Sequence, residues 1–178
     1  MDETLISDDQ MLELLESVWS SMLCMPIAAV PPREDFAEHS RLTASVHIAG
    51  DWNGTVLLHM TEPFAEFAAA TMLASDKAGL TDADRHDAAA ELCNIIGGSI
   101  KSLLPGRNSL SLPTIVKGDD FLFRVPNTRV LATMDIQSAG EPLRIRILAQ
   151  TDRKPTERES CQLASVGVAP TGTAPAGN

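Results

Sequence analysis

The stretch from Thr81 to Leu104 constrains this chain most. It runs free of proline between Gly79 on one side and Pro105-Gly106 on the other, which predicts one long helix with marked ends. At about 100° per residue, Ala88, Leu92, Ile95, Ile96 and Leu103 fall on one arc. Asp87, Glu91, Asn94, Gly98 and Lys101 fall on another, roughly 80° wide. Such a helix needs an apolar layer beneath its back and leaves a narrow polar front to face outward.

The rest of the chain can supply that layer. Ser7 can cap a first helix whose stripe is Met11, Leu12, Leu15, Val18, Trp19, Met22 and Leu23, with Pro26, Pro31 and Pro32 ending it and opening a loop. Residues 41–48 alternate as a strand, and 55–60 read as its return. Between them GDWNG, residues 50–54, predicts a hairpin turn in which Asn-Gly takes up positive φ. Thr61 caps a second helix with Pro63 in its first turn. Beyond Pro105 come strand-like runs at 110–117, 121–125 leading into 129–136, and 142–150, separated by Gly118-Asp119-Asp120 and by residues 138–142. Hairpin-joined strands with helices between them predict an α+β fold, an antiparallel β-sheet with helices packed on one face. Residues 1–150 read as one domain. Residues 151–178 read as a disordered tail, since ASVGVAPTGTAPAGN has no large apolar side chains to offset its ordering entropy.

Charge and composition exclude several classes. Residues 1–38 hold nine acids against Arg33 alone, so most of the net charge of −10 lies there. The remainder is close to balance, and no basic surface exists for tracking nucleic-acid phosphates. With aromatics at 4% and no Tyr, there is no platform for stacking bases. No run approaches the roughly 18 apolar residues of a membrane helix, and the acidic start is not a signal peptide. The expected location is the cytoplasm, with Cys24, Cys93 and Cys161 reduced. The four histidines are scattered. His47 and His59 could face each other across the hairpin, but two ligands do not make a zinc site, and no metal is expected. No P-loop, G-x-G-x-x-G or G-x-S-x-G is present. Cys93 borders the apolar arc, where a packed thiol is expected rather than a nucleophile.

The polar front carries the chemistry. Glu91 offers a carboxylate and Asn94, one turn on, a carboxamide that both accepts from and donates to water. Gly98 removes bulk on the same face, so a second molecule can approach closely. Gly97 and Gly98 each weaken the helix by roughly 1 kcal/mol relative to Ala. A solvated, inert face has the same kinds of residue, and E-x-x-N alone is a common pattern.

Asp87-x-x-x-Glu91-x-x-Asn94 resembles the [D/S]-x-x-x-E-x-x-N motif of the CheC/CheX/FliY chemotaxis phosphatases. The setting is similar too: a long central helix after a helix–hairpin–helix region, followed by strands. GGSIKSLLPG and SLSLPTIVKG, flanking Arg107-Asn108, are similar to the run after the motif in CheX proteins. The resemblance spans about residues 5–150. CheC proteins have two copies of the motif. Here the first helix has Glu13 and Glu16 but no Asn, which resembles the single-site CheX branch. Pro113 stands earlier than the proline of the family pattern.

The resemblance implies a phosphatase for the aspartyl phosphate of a CheY-type response regulator. In it Asn94 orients the attacking water and Glu91 pairs with the regulator's lysine. Asp87, Gly98 and Lys101 would help bind the partner. No cofactor of its own is expected, and Mg²⁺ would belong to the regulator. A homodimer paired through the sheets is also implied. A non-catalytic receiver-binding adaptor, a flagellar-switch-like module and an inert structural subunit stay open on the residues alone.

Overall fold

Ser7 opens the chain's first helix, α1 (Asp8–Leu23), through a reciprocal box. The Gln10 amide donates to Ser7 Oγ at 3.2 Å, and the Ser7 amide donates to Gln10 Oε1 at 3.1 Å. The structure, a computed structural model, describes residues 6–32, 36, 42–118 and 125–151. Residues 121–124 of the expected strand at 121–125, and residues 152–178 of the expected tail, lie outside them.

Among the described residues, α-helices lie on one antiparallel sheet. After α1 come β1 (Ala28–Val30), β2 (Leu42–Gly50), β3 (Gly54–Met60), α2 (Glu62–Leu73), a 3₁₀ turn at Lys77–Gly79, and α3 (Asp82–Leu103). Then follow β4 (Asn108–Leu110), β5 (Thr114–Lys117), β6 (Thr128–Ser138) and β7 (Glu141–Gln150). The strand order is β1-β6-β7-β3-β2-β4, with β5 also on β2. This is the expected α+β layout.

The alternation along the strands decides which face is covered. Leu42, Ala44, Val46 and Ile48 of β2, Val56, Leu58 and Met60 of β3, and Leu143, Ile145 and Ile147 of β7 point to the helices. There they meet Met11, Leu15, Trp19, Phe64, Leu92 and Ile96. Trp19 is fully buried and spans the layers, its Nε1 donating to Ser138 Oγ at 3.0 Å. On the other face most side chains are polar, with Leu57 and Leu148 buried among them. Asp135 and Arg144 form a double hydrogen bond, both contacts at 2.6 Å. The Arg144 guanidinium also lies 4.6 Å from the Phe36 ring.

Several expectations need correction. The proline-rich segment after α1 is not all loop: Ala28–Val30 pairs with Asp135–Gln137 of β6, a non-local bond that local sequence does not reveal. The run 110–117 divides into two strands at Ser111–Pro113. In the 50–54 hairpin, positive φ falls on Gly50 (153°), not on Asn53 or Gly54. Gly54 is required for space, because a Cβ there would collide with the Trp52 ring and the Leu148 carbonyl. His47 and His59 do not face each other: register sets His47 opposite Thr55 and His59 opposite Thr43.

Candidate functional site

Helix α3 is fixed at both ends. At its start the Thr81 amide donates to Asp84 Oδ2 at 2.7 Å, and the Asp84 amide returns a bond to Thr81 Oγ1. These bonds, the Thr81 hydroxyl's foremost, hold the Asp84 carboxyl below its usual range. Lys117 of β5 reaches Glu62 at the start of α2 (3.1 Å) and Asp82 at the start of α3 (4.0 Å). At the other end, Pro105 and Gly106 turn the chain back onto the tip of the β2–β3 hairpin. The Arg107 amide donates to Asp51 Oδ2 at 2.8 Å, and the Trp52 amide to Asn108 Oδ1 at 2.9 Å. Gly106 has φ of 80°, and a Cβ there would collide with Asp51.

Between these anchors the helix lies on β2 and β3. Ala88, Ala89, Leu92, Cys93, Ile96, Gly97 and Ile100 are buried. Cys93 Sγ sits 3.9 Å from the Val56 carbonyl, and burial pushes its thiol up to about 12. It is a packed side chain, as expected, with no thiolate to offer near neutral pH. Two positions differ from the wheel. Leu103 is 47% exposed and lines a groove with Leu14 and Ser17 of α1, while Leu104 beside it packs into the core. The two glycines also have separate tasks. Gly97 is buried against β2, where a Cβ would collide with Val46 Cγ2. Gly98 is open: its Cβ would meet only Leu110 Cδ1, at an ordinary 3.8 Å.

The expected front is present and points away from the sheet. Asp87 and Glu91 are exposed, and Asn94, Gly98 and Lys101 are half-buried. All five lie on the single helix α3, so their order along the face follows from its pitch. Among the described residues, no hydrogen bond or ion pair engages the side chains of Glu91 or Asn94. Both are free to meet a partner. The first helix has Glu13 and Glu16 exposed with no Asn one turn on, and the Gln10 amide before Glu13 is engaged in the Ser7 cap, so α1 has no equivalent face.

Other chemistry does not gather here. No group of three or more His, Cys, Asp or Glu side chains is placed to hold a metal among the described residues. His59 lies on the far side of the sheet, its Nδ1 2.9 Å from Thr43 Oγ1. Burial first, and then Arg146 and Arg144, lower it to about 4. No helix among the described residues is long and apolar enough to cross a membrane. Sequence reasoning put Gly98 on the open front but gave Gly97 no packing role against Val46, and it missed the clasp of Asp51 and Asn108. The Pro105-Gly106 pair was the available signal for the clasp, since a tight reversal after α3 must land on some neighbour.

Comparisons with known proteins bear on the family and the fold. The family model described as chemotaxis phosphatase CheX matches residues 42–137, which include the whole of α3. Among solved structures, the chemotaxis protein CheX from Vibrio vulnificus superposes with a TM-score of 0.69 at 17% identity, over 84% of this chain and 99% of that one. CheX from a Desulfovibrio desulfuricans subspecies gives 0.63 at 18%, over 79% and 96%. The CheX–CheY–BeF₃–Mg²⁺ complex from Borrelia burgdorferi gives 0.58 at 17%, over 79% and 95%. No curated protein matches the chain in sequence.

Proposed function

The chain belongs to the CheX family of chemotaxis phosphatases, within the CheC/CheX/FliY group, and from that premise we propose that it hydrolyses the aspartyl phosphate of a CheY-type response regulator. The observation that carries this reading is the α3 front: a carboxylate and a carboxamide one turn apart, both without partners, on a helix clamped at its two ends. Asn94 enters the regulator's cleft and orients water in line with the phosphorus. Glu91 pairs with the regulator's phosphate-binding lysine. Phosphoryl transfer needs positioning and charge neutralisation more than covalent help, so a rigid helix bearing two such groups is sufficient equipment.

Asp87 and Lys101 flank the pair and contact the regulator's surface, and Gly98 lets that surface approach the helix. The Mg²⁺ belongs to the regulator, consistent with the ion named in the Borrelia burgdorferi complex. An adaptor that only holds a receiver would not need Glu91 and Asn94 bare and aligned, so their exposure supports the enzyme. Residues 1–150 form the phosphatase domain in this reading, and the segment after Thr151 takes no part in catalysis. A homodimer paired through the sheets is part of the proposal. In support, β1 covers β6 only at Asp135–Gln137, so residues 128–134 have no strand partner on that side among the described residues.

The experiment is the decay of a phosphorylated CheY-type receiver in the presence of wild-type protein, Glu91→Ala and Asn94→Ala. The proposal expects acceleration by the wild type and loss of it in both variants. Equal decay with and without the wild type, for receivers that bind it, would refute it.

A further inference from the structure

Leu112 is 87% exposed, the most exposed large apolar side chain among the described residues. It is nevertheless held rigidly. Leu110 pairs with Ile48 and Thr114 with Ser45, so three residues, Ser111–Pro113, cross a two-residue gap on β2. That extra residue makes a bulge, a device that re-aims a side chain out of the strand. Ser111 pins it: the His47 amide donates to Ser111 Oγ at 3.0 Å, and the Ser111 amide donates to the His47 carbonyl at 2.8 Å. Pro113 confines Leu112 to extended backbone. A leucine so fixed covers nothing of its own molecule, yet has little freedom left to lose on binding.

Its place relative to α3 can be worked out. The segment runs back along the helix, from Arg107 at the C-terminal end to Lys117, which reaches Asp82 at the N-terminal end. Leu110 touches the helix at Gly98. The seven residues from there to Lys117 extend about 23 Å at a strand rise near 3.3 Å, which matches about 24 Å of helix from Gly98 to Asp82 at 1.5 Å per residue. On that scale Leu112, about 7 Å beyond Leu110, is level with Cys93 and Asn94. The β4–β5 segment also borders the Asn94 side of α3. Leu110 lies against the Gly97–Gly98 flank, and Asn94, one turn back, tilts toward that same flank on the helical wheel.

We infer that Leu112 is a docking residue of the catalytic face: it enters an apolar depression on the phosphorylated receiver domain beside the cleft that receives Asn94. This rests on the reading of Glu91 and Asn94 as the receiver-binding pair. Leu112 touches no reacting atom. It sets how firmly the receiver is held, so it acts on KM and not on kcat.

The test uses the full chain with Leu112→Ala and Leu112→Asp, each also made in an Asn94→Ala background. Receiver decay is followed as a function of receiver concentration, and binding is measured to a CheY-type receiver loaded with beryllofluoride and Mg²⁺. The side chain is exposed, so native urea midpoints are expected. The inference expects KM to rise about 10-fold or more for Leu112→Ala, the scale of burying one such side chain, with kcat within twofold. It expects the same loss of binding in the Asn94→Ala background. A KM and a binding constant both within twofold of wild type overturn it. A changed solution mass with unchanged KM also overturns it, because the leucine then meets a second copy of this chain. If wild type binds the loaded receiver without speeding decay, the catalytic reading fails, and the binding comparison still decides the docking role. No binding by wild type overturns both.

Discussion

One methyl group added at each of two adjacent residues gives opposite outcomes. Gly97→Ala puts a Cβ into Val46 Cγ2, and Val46 is 1% exposed on β2. A β-branched side chain has one strongly preferred χ1 and cannot turn aside cheaply. Overpacking of this kind costs about 1–3 kcal/mol, offset by about 1 kcal/mol of helix propensity. The net expectation is a loss of up to about 2 kcal/mol. Gly98→Ala meets only Leu110 Cδ1 at 3.8 Å and keeps the propensity gain, so it stabilises by up to about 1 kcal/mol. Both share the propensity gain, so the two variants should differ by the overpacking cost, about 1–3 kcal/mol. Urea unfolding followed by circular dichroism reads this as midpoints on either side of wild type. The functional order is reversed: Gly98→Ala is the more stable protein but keeps the receiver off the helix, and receiver dephosphorylation slows. Equal midpoints for the two variants would refute the packing argument, and full activity in Gly98→Ala would refute the close approach.

Three further outcomes follow from other parts of the molecule. His59 titrates near 6.5 when unfolded but is lowered to about 4 when folded, so between these values the unfolded chain binds more protons. Stability should fall as pH drops from about 6.5 to 4, by up to about 3 kcal/mol from this group, and His59→Gln should show a shallower slope in urea midpoints. Asp135→Asn breaks the double hydrogen bond to Arg144 within a largely buried pair and should cost about 3 kcal/mol or more. Asp135→Leu combined with Arg144→Met should cost less than the single change, and a larger loss in the double variant would contradict this. Alkylation of the native protein should label exposed Cys24 and spare buried Cys93, as peptide mass mapping reads out, while labelling of Cys93 at the same rate would contradict its burial.

Much of the site was legible because its determinants are local. Thr81 and Pro105 bound α3 by capping and by the loss of an amide donor, and helical pitch alone gathers Asp87, Glu91, Asn94, Gly98 and Lys101 on one face. What was not legible depends on distant partners. β1 exists because β6 lies beside it, and the break at Ser111–Pro113 exists because β2 is one residue short there. The wheel already leaves Gly98 on the open front, but only Val46, across on β2, makes Gly97 a packing glycine. Leu103 fits the apolar arc, but it lines the groove beside α1 while Leu104 takes the core position at the helix end, so the wheel misplaces it.

The central claim is that Asn94 positions water rather than binds the receiver. The measurement is single-turnover decay of a phosphorylated CheY-type receiver under saturating Asn94→Ala, beside binding of the same variant to the receiver loaded with beryllofluoride and Mg²⁺. The account predicts binding within a few-fold of wild type and decay at the receiver's own intrinsic rate. Decay at the wild-type rate in the saturated complex would contradict it.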